Sequence, residues 1–363
     1  MEMIGQVKSV PKRMSRVRGR EYGILKNGHK LRKAIQCGFL ATCLLIGVQF
    51  YFWYRHFATG GNSIEVPRPA GVEGFLPLSA LISLKHWLST GIFNHVHPAS
   101  LVIFLAVLAV SLVFKKSFCS FICPVGLLSE WHWKLGRKVF GRNLVAPFGW
   151  KPPRWMDYSL RSLKYLLLYF FLNAILRGMN TDALKAFIDS PYNKIADVKM
   201  MLFFLEMSTF AFGVILLLML ASLFISNFWC RYLCPYGGLL GILGFLSPVK
   251  IRREASTCTD CMACTRACPA MIQVHEAAIV RSDECTSCLD CVKVCPVENT
   301  LYPGVAFSKW SVSPRTVALG VLAIFLVFYI TGRMTGHWEN NITSQEYMYH
   351  IQHMDGLEYN HVR

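Results

Sequence analysis

The stretch "FAFGVILLLMLASLFISNFWCRYLCPYGGLL", residues 210–240, decides the fold. From Phe210 to Trp229 it carries no charge, and about 20 apolar helical residues cross the ~30 Å hydrocarbon core of a bilayer. It then places Cys230 and Cys234 four positions apart, with Pro235 directly after. The chain uses the device twice. "FCSFICPVGLL", residues 118–128, closes an earlier apolar run and sets Cys119 and Cys123 ahead of Pro124. Cysteines at i and i+4 would share one helix face and present their sulfurs together. The proline permits a break, and Gly126, Gly237 and Gly238 permit close backbone approach.

Four further runs predict membrane spans: Ala34–Tyr54, Ala99–Phe114, Leu160–Leu176 and Thr316–Gly332. A chain that is 53% hydrophobic and 16% charged lies well off soluble averages. The fold class expected is mainly α, a polytopic membrane bundle of about five spans. The net charge of +17 does not call for nucleic acid, because it follows topology. With five spans, 29 Lys/Arg fall on one side and nine on the other. By the positive-inside rule the N-terminus is cytoplasmic and the C-terminus outside, in a multi-pass inner-membrane protein. The tail "KSVPKRMSRVRGR" is expected to be unstructured. Its long basic lead, with no A-x-A-like site after the first span, predicts an uncleaved anchor.

Twelve of the 14 cysteines fall into patterns. "CTDCMACTRACPA" (258–270) and "CTSCLDCVKVCPV" (285–297) both read C-x2-C-x2-C-x3-C-P. In two-cluster modules the fourth cysteine of each run ligates the other cluster. This assigns Cys258, Cys261, Cys264 and Cys295 to one [4Fe–4S] centre, and Cys285, Cys288, Cys291 and Cys268 to a second. Pro269 and Pro296 turn the chain away after each run. Zinc rarely uses two such runs with trailing prolines, and a reducing compartment disfavours disulfides. Haem is not expected without a CxxCH. Cys37 and Cys43, inside the first span, read as packing residues.

The segment 255–300 resembles the bacterial two-cluster ferredoxins, which implies a small α+β insert, here on the cytoplasmic side. Over residues 34–300 the chain resembles the NapH-like membrane polyferredoxins, related to the membrane cores of nitrous-oxide regulators and oxidase-assembly copper reductases. The outer loop "RPAGVEGFLPLSALISLKHWLSTG" (68–91) is similar too. The chain departs in its fifth span and in the tail "GHWENNITSQEYMYHIQHMDGLEYNHVR". The domains expected are a basic tail (1–33), a four-span membrane domain (34–250), the two-cluster domain (251–305), a fifth span (306–332) and an outer tail (333–363).

The resemblance implies oxidation of membrane quinol, as a quinol dehydrogenase component. Electrons would pass between the quinone pool and a redox partner protein such as a cytochrome or a respiratory reductase subunit. An assembly factor that reduces a metal or partner thiols, and a redox-sensing regulator, are the competing functions. Glu206, His86, His95, His97, Lys85 and Glu73 are candidates near the outer side, where ionisable groups in a membrane mark function. Cys119, Cys123, Cys230 and Cys234 form a further candidate redox or metal site: a dithiol, or four thiolates on an additional metal centre. In the tail, His337, His350, His353 and His361 are weak metal candidates beside Trp338. "TSQE" (343–346) predicts a capped helix, and a docking surface for a partner is the expected use of the tail.

Overall fold

The structure, a computed structural model, describes residues 21–141, 153–308 and 310–356. The tail stretch 8–20 and His361 lie outside the described residues. Helix α1 (Glu21–Ala58) begins well before the expected Ala34 boundary. Its basic turn stays helical and packs inward because buried Arg32 reaches Glu130 at 3.3 Å and Asp290 at 3.6 Å. A 3₁₀ turn (Ala70–Phe75) and α2 (Pro77–Thr90) follow. Then come α3 (Pro98–Phe114), α4 (Phe118–Phe121), α5 (Pro124–Val139) and α6 (Arg154–Leu176). Three helices cap the far end: α7 (Thr181–Ile188), α8 (Pro191–Lys194) and α9 (Ala196–Leu205). The chain returns through α10 (Thr209–Phe224), α11 (Phe228–Tyr232) and α12 (Pro235–Leu243).

The apolar helices alternate in direction. α1 and α6 run away from the cysteine-bearing end, whereas α3 and α10 run back towards it. A late helix, α15 (Pro314–Met334), runs parallel to α1 and antiparallel to α3. Gly28 abuts Pro314, Gly320 sits on Phe114, and Gly332 on Val102. Among the described residues three helices are long and apolar enough to cross a membrane: Gly28–Ala58, Trp155–Leu176 and Pro314–Met334. α9 and α10 qualify together only as a pair bent by 79°, and α3 is a shorter apolar helix of 17 residues. The molecule is a membrane helix bundle.

The expected span Phe210–Trp229 does not persist as one helix. α10 stops at Phe224, and Asn227 turns the chain through the left-handed region (φ 56°) before α11. Asparagine tolerates that conformation better than most residues. The first half breaks at the corresponding place, where Lys115 has φ 59° between α3 and α4.

Between α12 and α15 lies the small α+β insert. Strand β1 (Val249–Arg253) pairs antiparallel with β2 (Leu301–Val305), Val249 opposite Val305 and Arg253 opposite Leu301. Short helices α13 (Ala263–Ala267) and α14 (Asp290–Val294) pack together between the strands. The main core runs from this insert into α3 and α15 through Val110, Phe121, Ile251, Val280 and Val321.

α16 (Ser344–Gln352) folds back, and Tyr347 and Ile351 are buried against Trp53 and Phe57 of α1. The expected cap is present: the Thr343 hydroxyl accepts from the Glu346 N–H at 3.2 Å.

Candidate iron–sulfur and thiol sites

Each C-x2-C-x2-C loop of the insert carries two left-handed residues, Asp260 and Met262 in the first, Ser287 and Leu289 in the second. Such turns aim successive backbone N–H groups into a concavity, a shape that suits an anionic group. α13 and α14 then deliver the fourth cysteines, Cys268 and Cys295, as the residues that end them. The two short helices cross the insert, so each fourth cysteine reaches the opposite loop. Cys268, Cys285, Cys288 and Cys291 ring one cavity of about 20 Å³. Cys258, Cys261, Cys264 and Cys295 ring another of about 20 Å³.

The donor sets suit a multi-iron cluster better than a zinc ion. Zn–S bonds of ~2.3 Å would draw four thiols tightly together. Among the described residues no three His, Cys, Asp or Glu side chains converge to hold a single metal ion. Burial pushes the Cys268 thiol up to about 12, so loading a metal group there must release protons.

The two cavities differ in surroundings. Cys261 is exposed and Cys258 half-buried, so the first lies at the surface of the insert. The second lies against the membrane helices, joined to them by a buried ionic clasp built on Asp283 and Glu284, just before Cys285. Arg161 of α6 donates to Asp283 at 2.7 Å and to Glu284 at 3.2 Å. Lys164 donates to Glu284, Tyr165 to Asp283, and Lys116 stands 3.7 Å from Glu284. Burial alone would raise the Asp283 carboxyl, but the Tyr165 hydroxyl and the charges of Arg161 and Lys164 outweigh it and hold it well below the usual range. Lys115 donates to the carbonyls of Val280 and Ser282 at 3.0 and 2.9 Å. Arg231 grips Asp157 with two bonds of 3.0 and 2.7 Å and the Ala270 carbonyl at 2.6 Å. Sequence reasoning missed this clasp. Its only local signal was the acidic pair in "SDEC".

The CxxxCP cysteines do not share one helix face, as i, i+4 spacing suggested. In each motif the short helix ends between the two. Cys123 and Cys234 are extended N-cap residues of α5 and α12, because Pro124 and Pro235 start new helices. The Cys234 sulfur accepts from the Gly237 N–H at 3.3 Å. All four thiols are nevertheless gathered within electrostatic reach of one another, and those of Cys119, Cys230 and Cys234 within reach of the Lys116 ammonium. Gly126 makes the close approach possible, since a Cβ there would lie 2.0 Å from the Cys119 carbonyl oxygen. Cys37 is exposed on α1 and Cys43 half-buried.

The outer candidates sit at the opposite end, in two groups. Arg68 donates to Glu73 at 2.9 Å and to Asp197 at 2.6 Å. Fully buried His97 faces Glu73 at 3.5 Å through Nδ1, and its Nε2 donates to the Asn193 carbonyl at 2.6 Å. Glu73 also accepts the Ser100 N–H at 3.2 Å. Glu73 and His97 are thereby engaged in one buried network. Lys85 is occupied in capping α6, donating to the carbonyls of Ile175, Leu176 and Met179. His86 is buried, while His95 and Glu206 are exposed. His337 meets Phe93 edge-on, His353 stacks on Tyr349, and His350 lies 3.7 Å from Glu346. Trp338 lies edge-on to Tyr329.

A membrane bundle carrying two four-cysteine cavities and a duplicated CxxxCP element defines a ferredoxin-type iron–sulfur protein. Residues 96–143 and 207–254 each match a family described as a 4Fe-4S binding domain, and residues 250–296 match a 4Fe-4S dicluster domain. YccM of Escherichia coli strain K12, whose name proposes a role in electron transport, is 41% identical over 89% of this chain and 90% of its own length. The ferredoxin-type protein MauN of methylamine utilization in Paracoccus denitrificans is 31% identical over 44% of this chain and 50% of its own. The ferredoxin-type protein NapH of Haemophilus influenzae is 27% identical over 51% and 54%. No solved structure matches the chain. The chain belongs to the NapH-like membrane polyferredoxins and is a ferredoxin-type electron-transfer protein with 4Fe-4S domains.

Proposed function

We propose that the protein carries electrons between the quinone pool and a redox partner protein, such as a cytochrome or a respiratory reductase subunit, through two [4Fe–4S] clusters. Cys258, Cys261, Cys264 and Cys295 hold one, and Cys285, Cys288, Cys291 and Cys268 the other. Bound there, the clusters supply one-electron carriers whose potentials the protein tunes through burial and hydrogen bonds to sulfur. The observation that carries the reading is the pair of cavities in series. One is clasped to the membrane helices through Glu284 and Asp283, and the other opens at the surface through Cys261. An inner, docked site next to an outer, accessible one is the arrangement a relay needs.

In this reading the insert and the CxxxCP elements lie on the cytoplasmic side and α16 outside, which the distribution of basic residues supports. Quinol oxidation is tested by adding a reduced quinol analogue to purified, anaerobic protein. Bleaching of the visible iron–sulfur absorption is the expected result. Absorption that responds to dithionite and never to quinol would leave the clusters and remove the quinone pool from the reading.

A further inference from the structure

Lys115 sits where a lysine is costly. It ends α3, is 1% exposed, and holds φ 59° and ψ −154°, a region that residues other than glycine rarely occupy. The second repeat makes its own turn with Asn227, which tolerates positive φ, so the turn does not call for a lysine.

A buried ammonium also needs a counter-charge. Lys115 Nζ donates to backbone, to the carbonyls of Val280 and Ser282 at 3.0 and 2.9 Å. Among the described residues no carboxylate pairs with it. Asp283 is engaged by Arg161 and Tyr165, and Glu284 by Lys164, Arg161 and Lys116. Lys250, itself buried, is close enough to repel it. Burial works against the Lys115 charge, and the groups that favour it are Cys285 first and Asp283 second. The strongest anionic partner in reach is therefore a cysteine of the docked cavity, the one ringed by Cys268, Cys285, Cys288 and Cys291.

The other cations near the two cavities are already balanced. Arg32 and Arg231 approach the docked set, but Glu130 and Asp290 hold the first and Asp157 the second. At the surface cavity the charged neighbours of Cys264 and Cys295 are their sister cysteines, and Arg253 in its wall lies 3.8 Å from Asp260.

We propose that Lys115 is the countercation of the [4Fe–4S] cluster held by Cys268, Cys285, Cys288 and Cys291, and that it raises the reduction potential of that centre alone. The proposal rests on the two-cluster reading. Four thiolates leave such a group anionic, and reduction adds one electron and one further negative charge, with no bond formed or broken. Lys115 favours that added charge, and its burial keeps water and salt from screening it. It thereby opposes the desolvation that disfavours the more negative form, and biases an electron shared by the two centres toward the one docked on the membrane helices.

The full-length, cluster-loaded protein is titrated anaerobically with dithionite and redox mediators, and each centre is followed by electron paramagnetic resonance. Cys268→Ala identifies the signal of the docked centre. In Lys115→Gln the reduced-to-oxidised ratio of that centre at a fixed applied potential should fall about tenfold, ~59 mV for a one-electron couple, while the surface centre does not move. Lys115→Arg keeps the charge and should titrate like the wild type. Lys115→Gly removes the charge and relieves the backbone, so it should show the same fall, and it decides the matter if the glutamine variant loses iron. A midpoint that stays or rises without the charge overturns the proposal and leaves the clusters in place. So does an equal shift in both centres, or a fall in Lys115→Arg as large as in Lys115→Gln. Loss of the docked cluster from both uncharged variants makes the role structural and overturns it too. Wild-type protein with far fewer than about eight irons per chain removes the cluster reading itself, and the proposal with it. Dithionite is the reductant throughout, so the result stands whether or not quinol is the donor.

Discussion

Replacing Gly126 and Gly237 by alanine, one at a time, perturbs the two halves of the repeat at equivalent positions and should give unequal results. At Gly126 the added Cβ would stand 2.0 Å from the Cys119 carbonyl oxygen, about 1.4 Å inside ordinary contact. The obstacle is backbone, so the start of α5 and the Cys119 turn must separate. Overpacking costs ~1–3 kcal/mol and is worst where nothing flexible can yield. Alanine's helix propensity returns about 1 kcal/mol against glycine. The net loss expected for Gly126→Ala is about 2 kcal/mol. At Gly237 the Cβ would meet the Cys230 carbonyl at 3.3 Å and the flexible end of Lys116 at 3.4 Å. That smaller strain is offset by propensity, leaving Gly237→Ala within about 0.5 kcal/mol of neutral. Urea unfolding of the detergent-solubilised protein, followed by tryptophan fluorescence, measures both. Equal losses in the two variants, or a neutral Gly126→Ala, would refute the packing argument.

Four other outcomes are expected. Anaerobic protein should hold about eight irons and eight sulfides, and Cys268→Ala should disturb the centre beside Cys285, Cys288 and Cys291 while sparing its neighbour, as resolved by electron paramagnetic resonance. Glu284→Gln leaves Lys164, Lys116 and Arg161 facing a lost charge, so undocking of the insert should become easier by about 3–5 kcal/mol, read as faster proteolysis near residues 254–260. Adding Lys164→Met should recover part of that loss. Burial would raise the Glu130 carboxyl, but Arg32 and Lys134 hold it below its ordinary value. Its tie between α1 and α5 is therefore full above the ordinary carboxylate pKa of ~4.3 and is lost as pH falls below it, which hydrogen exchange in α5 would follow. A reporter fused to the C-terminus should be active only outside the cytoplasm, and cytoplasmic activity would overturn the five-span path.

Much of the architecture was legible because its signals are local. An apolar run long enough to cross a bilayer declares itself without reference to the rest of the chain, and so did the runs around residues 34–54, 160–176 and 316–332. Cysteine spacing is local as well: a C-x2-C-x2-C loop folds over its own few residues. The crossing of Cys268 and Cys295 could be anticipated because the second run repeats the first. The i, i+4 argument for the CxxxCP pairs failed at the same local level. It weighed helical spacing and gave too little to Pro124 and Pro235, which begin new helices and make the second cysteines caps.

What the sequence determined by itself was a membrane bundle with a two-run cysteine insert and a doubled CxxxCP device. Only the tertiary structure decided which end of which helix each charge would meet. Glu284 and Lys164 are 120 positions apart, and nothing in either neighbourhood marks the other as its partner. The inner turns of α1 and α6 looked like a basic tail and a charged span edge until Asp290, Asp283 and Glu284 arrived to pair with them. A cavity lined by both Cys119 and Cys230 has the same origin, since its walls come from α1, both repeats and the insert. Hydrophobic length and ligand spacing act over a few residues, whereas a buried charge finds its partner only once the helices have packed.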